Sequence, residues 1–71
     1  MPDSPFLDQQ ERVTRSGEQR WRNADHDRWY TWDALHEEVE VFDKRGNHLG
    51  ALDPVTGILI KPPKPGRCID V

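Results

Sequence analysis

The stretch Arg28-Trp29-Tyr30-Thr31-Trp32-Asp33-Ala34-Leu35-His36-Glu37-Glu38-Val39-Glu40-Val41-Phe42 decides the fold. Trp29 to Trp32 is an aromatic and β-branched run of the kind enriched in strands. From His36 to Phe42 the side chains alternate, so Val39 and Val41 fall on one face while His36, Glu38 and Glu40 fall on the other. Asp33 to His36 therefore reads as the turn between two antiparallel strands. Downstream, Asp43-Lys44-Arg45-Gly46 is a second turn, and Asn47 to Leu52 returns as a third strand. Asp53-Pro54-Val55-Thr56-Gly57 turns the chain again, with Pro second and Gly last, and Ile58 to Ile60 gives a short fourth strand. Pro62, Pro63 and Pro65 then forbid ladder pairing and favour an extended tail. Upstream, residues 1–27 are polar, and their few apolar side chains do not recur at helical spacing. That segment is expected to be partly disordered or to hold a short helix, with Ser16 as one possible cap. The expected fold class is mainly β, α+β at most: an antiparallel meander over residues 28–71 that ends in a Pro-rich tail.

At 71 residues there is room for one small domain. With 34% hydrophobic and 32% charged residues, the core must be thin, pinned by three Trp, two Phe and one Tyr. The longest aliphatic run, Ile58-Leu59-Ile60, is far short of the roughly 20 apolar residues of a membrane helix, and no signal-peptide pattern is present. Met1 and its polar leader suit either a free-standing protein or a module of a longer one. The lone Cys68 excludes an intrachain disulfide and a cysteine-based zinc site. The net charge of −3 hides three blocks. Residues 1–24 balance four Arg against four acids, residues 25–43 set seven acids against Arg28 alone, and residues 44–71 hold five bases and two acids. A dedicated nucleic-acid binder is usually strongly basic, so composition alone argues against one.

The acidic block nevertheless contains a chemical constellation. Asp33 and His36 face each other across a turn, and Glu38 and Glu40 follow on the His36 face. Side chains two apart on a strand lie roughly 6.5–7 Å from one another, the span of a phosphodiester. His36 suits a proton donor, Glu40 a proton acceptor, and Arg67 a bidentate phosphate partner folded back from the tail. On spacing alone, the same residues also read as a solvated sheet face with one surface ion pair. Trp29, Tyr30 and Trp32 suit either base stacking or core packing. His26, His36 and His48 match no standard zinc spacing, so no metal and no cofactor is expected.

The series Tyr30-x-Trp32-Asp33-x-x-His36-x-Glu38-x-Glu40, then His48-Leu49-Gly50-x-x-Asp53-Pro54-x-Thr56-Gly57, then Lys61-x-Pro63 and Arg67 resembles the cytotoxic ribonuclease domain of cloacin and the ribosomal-RNA-cleaving colicins. The likeness covers Arg28 to Arg67, 40 residues, with one residue fewer in the Asp43–Gly46 turn. It implies a small, highly twisted antiparallel sheet with a short N-terminal helix. It also implies a metal-independent endoribonuclease that cuts small-subunit ribosomal RNA at the decoding site, by attack of a 2′-OH to leave a cyclic phosphate. The resemblance carries the catalytic roles onto Asp33, His36, Glu40 and Arg67, with Glu38 auxiliary and with Tyr30, Trp32, Lys61 and Lys64 contacting RNA. It implies a monomer released as a toxin module, acting on the ribosome in the bacterial cytoplasm and neutralised by an acidic immunity protein. A non-catalytic module that binds ribosome or protein is the alternative, motivated by the acidic charge. This chain departs from the family in its charge and in carrying Glu37 where the family has Gly, which is expected to add a negative charge beside the phosphate site.

Overall fold

Asp33, Asp43 and Asp53 punctuate the chain at ten-residue intervals, each at or just past the end of a strand and each closing the turn after it. Asp33 Oδ1 accepts from the N–H groups of Leu35 and His36 at 3.1 and 3.2 Å, Asp43 Oδ1 from Arg45 and Asn47, both at 2.9 Å, and Asp53 Oδ1 from Val55 and Thr56 at 2.8 and 2.9 Å. This local bonding satisfies turn amides that no ladder reaches. The computed structural model describes residues 2–71. Helix α1 (Pro5–Asp8) precedes β1 (Glu11–Arg15), β2 (Glu18–Arg22), β3 (Arg28–Asp33), β4 (Glu38–Asp43), β5 (His48–Leu52) and β6 (Leu59–Lys61). Each strand pairs antiparallel with the next in one six-stranded sheet, the mainly β meander that the alternation predicts. No helix among the described residues is long and apolar enough to cross a membrane.

Strand register sorts the side chains onto two faces. Trp21 lies opposite Tyr30, Tyr30 opposite Val41, and Trp32 opposite Val39, so these residues share one face with Leu52 and bury against Leu7 of α1. Phe6 meets Tyr30 edge-on, with centroids 5.0 Å apart and planes at 88°, the favourable aromatic geometry. Burial raises the Tyr30 phenol above its ordinary value. The helix is too short to persist alone. Ser4 caps it by accepting from the Leu7 N–H at 3.0 Å, and its hydroxyl donates to the Pro54 carbonyl at 2.7 Å, tying α1 to the β5–β6 turn. The opposite face carries Thr31, Glu40, Ala51 and Lys61 in one cross-strand row.

The structure differs from the sequence reading over the N-terminal segment. Residues 11–22 are not loose: they form β1 and β2, and the sheet begins at Glu11 rather than Arg28. Ser16 caps no helix. Ser16 and Gly17 have φ of 53° and 77° and form the two-residue loop of a tight hairpin, whose backbone twist matches the flanking strands. Trp21 anchors the hairpin in the core, while Arg20 and Arg22 lay their guanidinium groups over Trp29 at 5.6 and 5.5 Å from the ring centroid. Met1 of that segment lies outside the described residues.

The turn aspartates set an acid limit to stability. All three carboxyls lie below the ordinary aspartate value: Asp33 chiefly through the His36 ring, Asp43 through the Asn47 N–H, and Asp53 through the Thr56 N–H. A carboxyl lowered by folding stabilises above its unfolded value of about 3.9, and that contribution is lost as pH falls through the folded value. The urea midpoint is expected to fall on acidification below about pH 4, and Asp53→Asn to make the fall shallower. A midpoint indifferent to acid would contradict this account.

Candidate active site

The first half of the site is local. Asp33 holds the turn with Oδ1 and holds the His36 ring with Oδ2, which lies 2.8 Å from Nδ1. An accepting carboxylate fixes the hydrogen on Nδ1 and leaves Nε2 as the nitrogen available for proton transfer. The ring is half-exposed. His36 is thus placed by the turn and not by the strand alternation expected from sequence, because β4 starts only at Glu38.

The second half is assembled from distant segments. Glu40 sits mid-strand between Thr31 of β3 and Ala51 of β5, buried, with a donor at each oxygen. Arg67 Nη1 lies 3.1 Å from Oε1, and His48 Nε2 lies 2.6 Å from Oε2. His48 Nδ1 accepts from the Lys64 N–H at 2.9 Å, so its hydrogen is on Nε2 and is donated to Glu40. His48 packs edge-on against Phe42, with centroids 5.3 Å apart. The tail brings Arg67 over β5: the His48 N–H donates to the Arg67 carbonyl at 3.0 Å, and Asn47 bridges to Cys68.

Asp33, His36, Glu40, His48, Ala51, Lys61, Pro62, Lys64 and Arg67 line one cleft of about 60 Å³. A water needs roughly 10–15 Å³ on such a measure, so this space is on the scale of a phosphate group and not of a nucleobase. Of the residues singled out from sequence, the cleft gathers Asp33, His36, Glu40, Arg67, Lys61 and Lys64. Glu38 holds neither His36 nor Arg67. Its Oε1 pairs with Lys61 Nζ at 2.7 Å, a hydrogen bond that raises the lysine above its ordinary value. Among the described residues, no cluster of three His, Cys, Asp or Glu is suited to a metal.

Tyr30 and Trp32 stand apart from the cleft. Tyr30 is a core residue, and Trp32 packs partly buried against the same core. On β3 they alternate with Asp33, so they belong to the opposite face. Glu37 also lies elsewhere. It lines an open groove with Trp32 and Pro54 and brings no charge into the cleft. Its φ of 54° explains why glycine suits the position: a Cβ in the left-handed region is strained by about 1 kcal/mol. Glu37→Gly is expected to stabilise the fold by roughly 0.5–1 kcal/mol, read as a raised urea midpoint; a lowered midpoint would refute the strain argument. His48 is a cleft residue to which the sequence reading gives no role beyond a place in the motif series and a rejected metal-ligand reading. Counting across the Asp43–Asn47 turn places it opposite Phe42, beside Glu40.

A family model described as Cytotoxic matches residues 2–70. Cloacin of Escherichia coli is 43% identical over 51 residues, which cover 70% of this chain and 9% of cloacin. Colicin E3 of Escherichia coli is 41% identical over 51 residues, again 70% of this chain and 9% of the relative. This chain therefore matches only a small part of each relative's length. With a family match across nearly every residue and two colicin-type relatives above 40% identity, the chain belongs to the Cytotoxic family.

Proposed function

We propose that this domain is a metal-independent endoribonuclease that cleaves small-subunit ribosomal RNA at the decoding site. The observation that carries the reading is the convergence of His36, Glu40 and Arg67 on one phosphate-sized cleft. Glu40 accepts the proton of a ribose 2′-OH, and that oxygen attacks the neighbouring phosphorus. The bond from phosphorus to the 5′ oxygen breaks as His36 Nε2 delivers a proton to the leaving oxygen. The products are a 2′,3′-cyclic phosphate and a free 5′-OH. Asp33 keeps the His36 ring oriented and offsets its imidazolium charge. Arg67, Lys61 and Lys64 supply the positive charge that stabilises the crowded phosphate. His48, itself part of the cleft wall, holds one oxygen of the Glu40 carboxylate while Arg67 holds the other, which fixes the base in place.

On this reading the substrate partner is the ribosome, the site of action is the bacterial cytoplasm, the domain works as a monomer, and an acidic immunity protein is its natural inhibitor. The resemblance of the motif series and the relationship to cloacin and colicin E3 support these assignments. Purified protein incubated with ribosomes in EDTA is expected to yield one discrete small-subunit fragment ending in a cyclic phosphate. Intact RNA after prolonged incubation with protein still bound to the ribosome would instead favour a non-catalytic binding module. Cleavage that stops in EDTA would overturn the metal-independent mechanism.

A further inference from the structure

We propose that Arg20 on β2 is a positioning residue for Arg67, acting through the C-terminal tail; the inference rests on the ribonuclease reading above. Arg20 is only 3% exposed, although it carries a full charge. Burying a guanidinium is strongly unfavourable unless its donors find partners. Here Nη1 donates to the main-chain carbonyl of Asp70, the Trp29 ring lies 5.6 Å from Cζ, and the Glu18 carboxylate is 3.9 Å from Nη2. The principal hydrogen bond of this buried charge is therefore spent on a backbone oxygen three residues beyond Arg67.

The tail needs such an anchor. Residues 62–66 are exposed and belong to no strand. Beyond them the chain touches the start of β5 through the His48 N–H to the Arg67 carbonyl at 3.0 Å and the Ile69 N–H to the Gly46 carbonyl at 2.9 Å. With the Lys64 N–H bond to His48 Nδ1 at 2.9 Å, these bonds all run to one edge, the start of β5, and define an axis about which the segment beyond Arg67 swings. Arg20 grips the tail from β2, off that axis, and the longer Arg15–Asp70 pair at 3.8 Å lies on the same side. The Arg67 side chain is 44% exposed, so packing alone does not orient it. Its 3.1 Å approach to Glu40 depends on where the tail backbone is held. Misplacing a charge-stabilising group by about 1 Å lowers a rate by on the order of a hundredfold.

The test compares Arg20→Met and Arg20→Lys in wild-type and Arg67→Ala backgrounds, using ribosome cleavage kinetics and amide hydrogen exchange. Arg20→Met is expected to lower kcat by about tenfold to a hundredfold with KM little changed, and Arg20→Lys to recover part of the loss. In the Arg67→Ala background the same substitution should have no further effect on kcat. Exchange at the Ile69 amide should quicken by about fivefold or more, while the Val41 amide stays protected. An equal kcat loss in both backgrounds, or unchanged Ile69 exchange, would overturn the proposal. Should Arg20→Met fail to fold, a chain ending at Ile69 removes the Asp70 carbonyl and provides the same comparison. If the wild-type protein leaves RNA intact, the ribonuclease reading fails, and Ile69 exchange alone decides whether Arg20 tethers the tail.

Discussion

Glu40→Gln is expected to lower the rate of RNA cleavage by about 10²–10⁴-fold, the usual contribution of a positioned general base. The amide keeps the shape of the carboxylate but cannot accept the 2′-OH proton. It also cannot satisfy both neighbours. Arg67 and His48 each direct a donor at Glu40, and His48 cannot turn its hydrogen away while Nδ1 accepts from the Lys64 N–H. One N–H of the new amide must face another donor, so a stability loss of roughly 1–3 kcal/mol accompanies the activity loss. His36→Ala separates the two effects. That ring is half-exposed and its turn is held by Asp33 Oδ1, so stability should change by less than about 0.5 kcal/mol while the rate falls as far. The two residues serve the attacking and leaving ends of one displacement at phosphorus, so the double variant should be barely slower than either single one. Initial rates of cut-end formation beside urea melts make the measurement. Full activity in either single variant would remove the acid–base mechanism.

Legibility in the sequence followed the range of the interactions. β3 and β4 were readable because each residue's environment is set by its immediate neighbours: the Trp29–Trp32 run and the Val39, Val41 alternation need no knowledge of a partner strand. The Asp33–His36 half of the site is local in the same sense, since spacing and turn chemistry alone bring a carboxylate to an imidazole. The N-terminal hairpin escaped because its stabilisation is not aliphatic. Trp21 supplies one anchor, and the other contacts are made by charged side chains, among them the arginines over Trp29 and the Arg22–Glu11 and Arg15–Asp70 pairs, which a hydrophobic pattern scores as polar. His48 escaped because its place beside Glu40 follows from its pairing with Phe42 across the Asp43–Asn47 turn, a cross-strand relation that the alternation within either strand does not show. Tyr30, which the resemblance implies contacts RNA, alternates with Asp33 along β3 and lies on the core face, away from the cleft.

Gly50→Ala is expected to destabilise the domain by about 3 kcal/mol, combining a strained backbone with overpacking. Gly50 lies mid-strand at φ 139°, a conformation L residues rarely adopt. A Cβ there would stand 2.4 Å from the Lys61 carbonyl oxygen and 2.5 Å from Leu59 Cδ1. The leucine tip can rotate away. The carbonyl cannot, because it belongs to β6, which joins the sheet through the Ala51–Lys61 and Leu52–Leu59 pairs. Relief therefore requires β6 to lift, moving Lys61 and Pro62 out of the cleft wall. A domain of this length has roughly 4–10 kcal/mol of stability, so the variant should still fold in the cold, with a much lower urea midpoint and slower RNA cleavage. Adding Leu59→Ala should restore neither property, since the backbone clash remains. A wild-type midpoint for Gly50→Ala, or rescue by the leucine truncation, would show that the strand edge yields more easily than the Lys61 carbonyl contact implies.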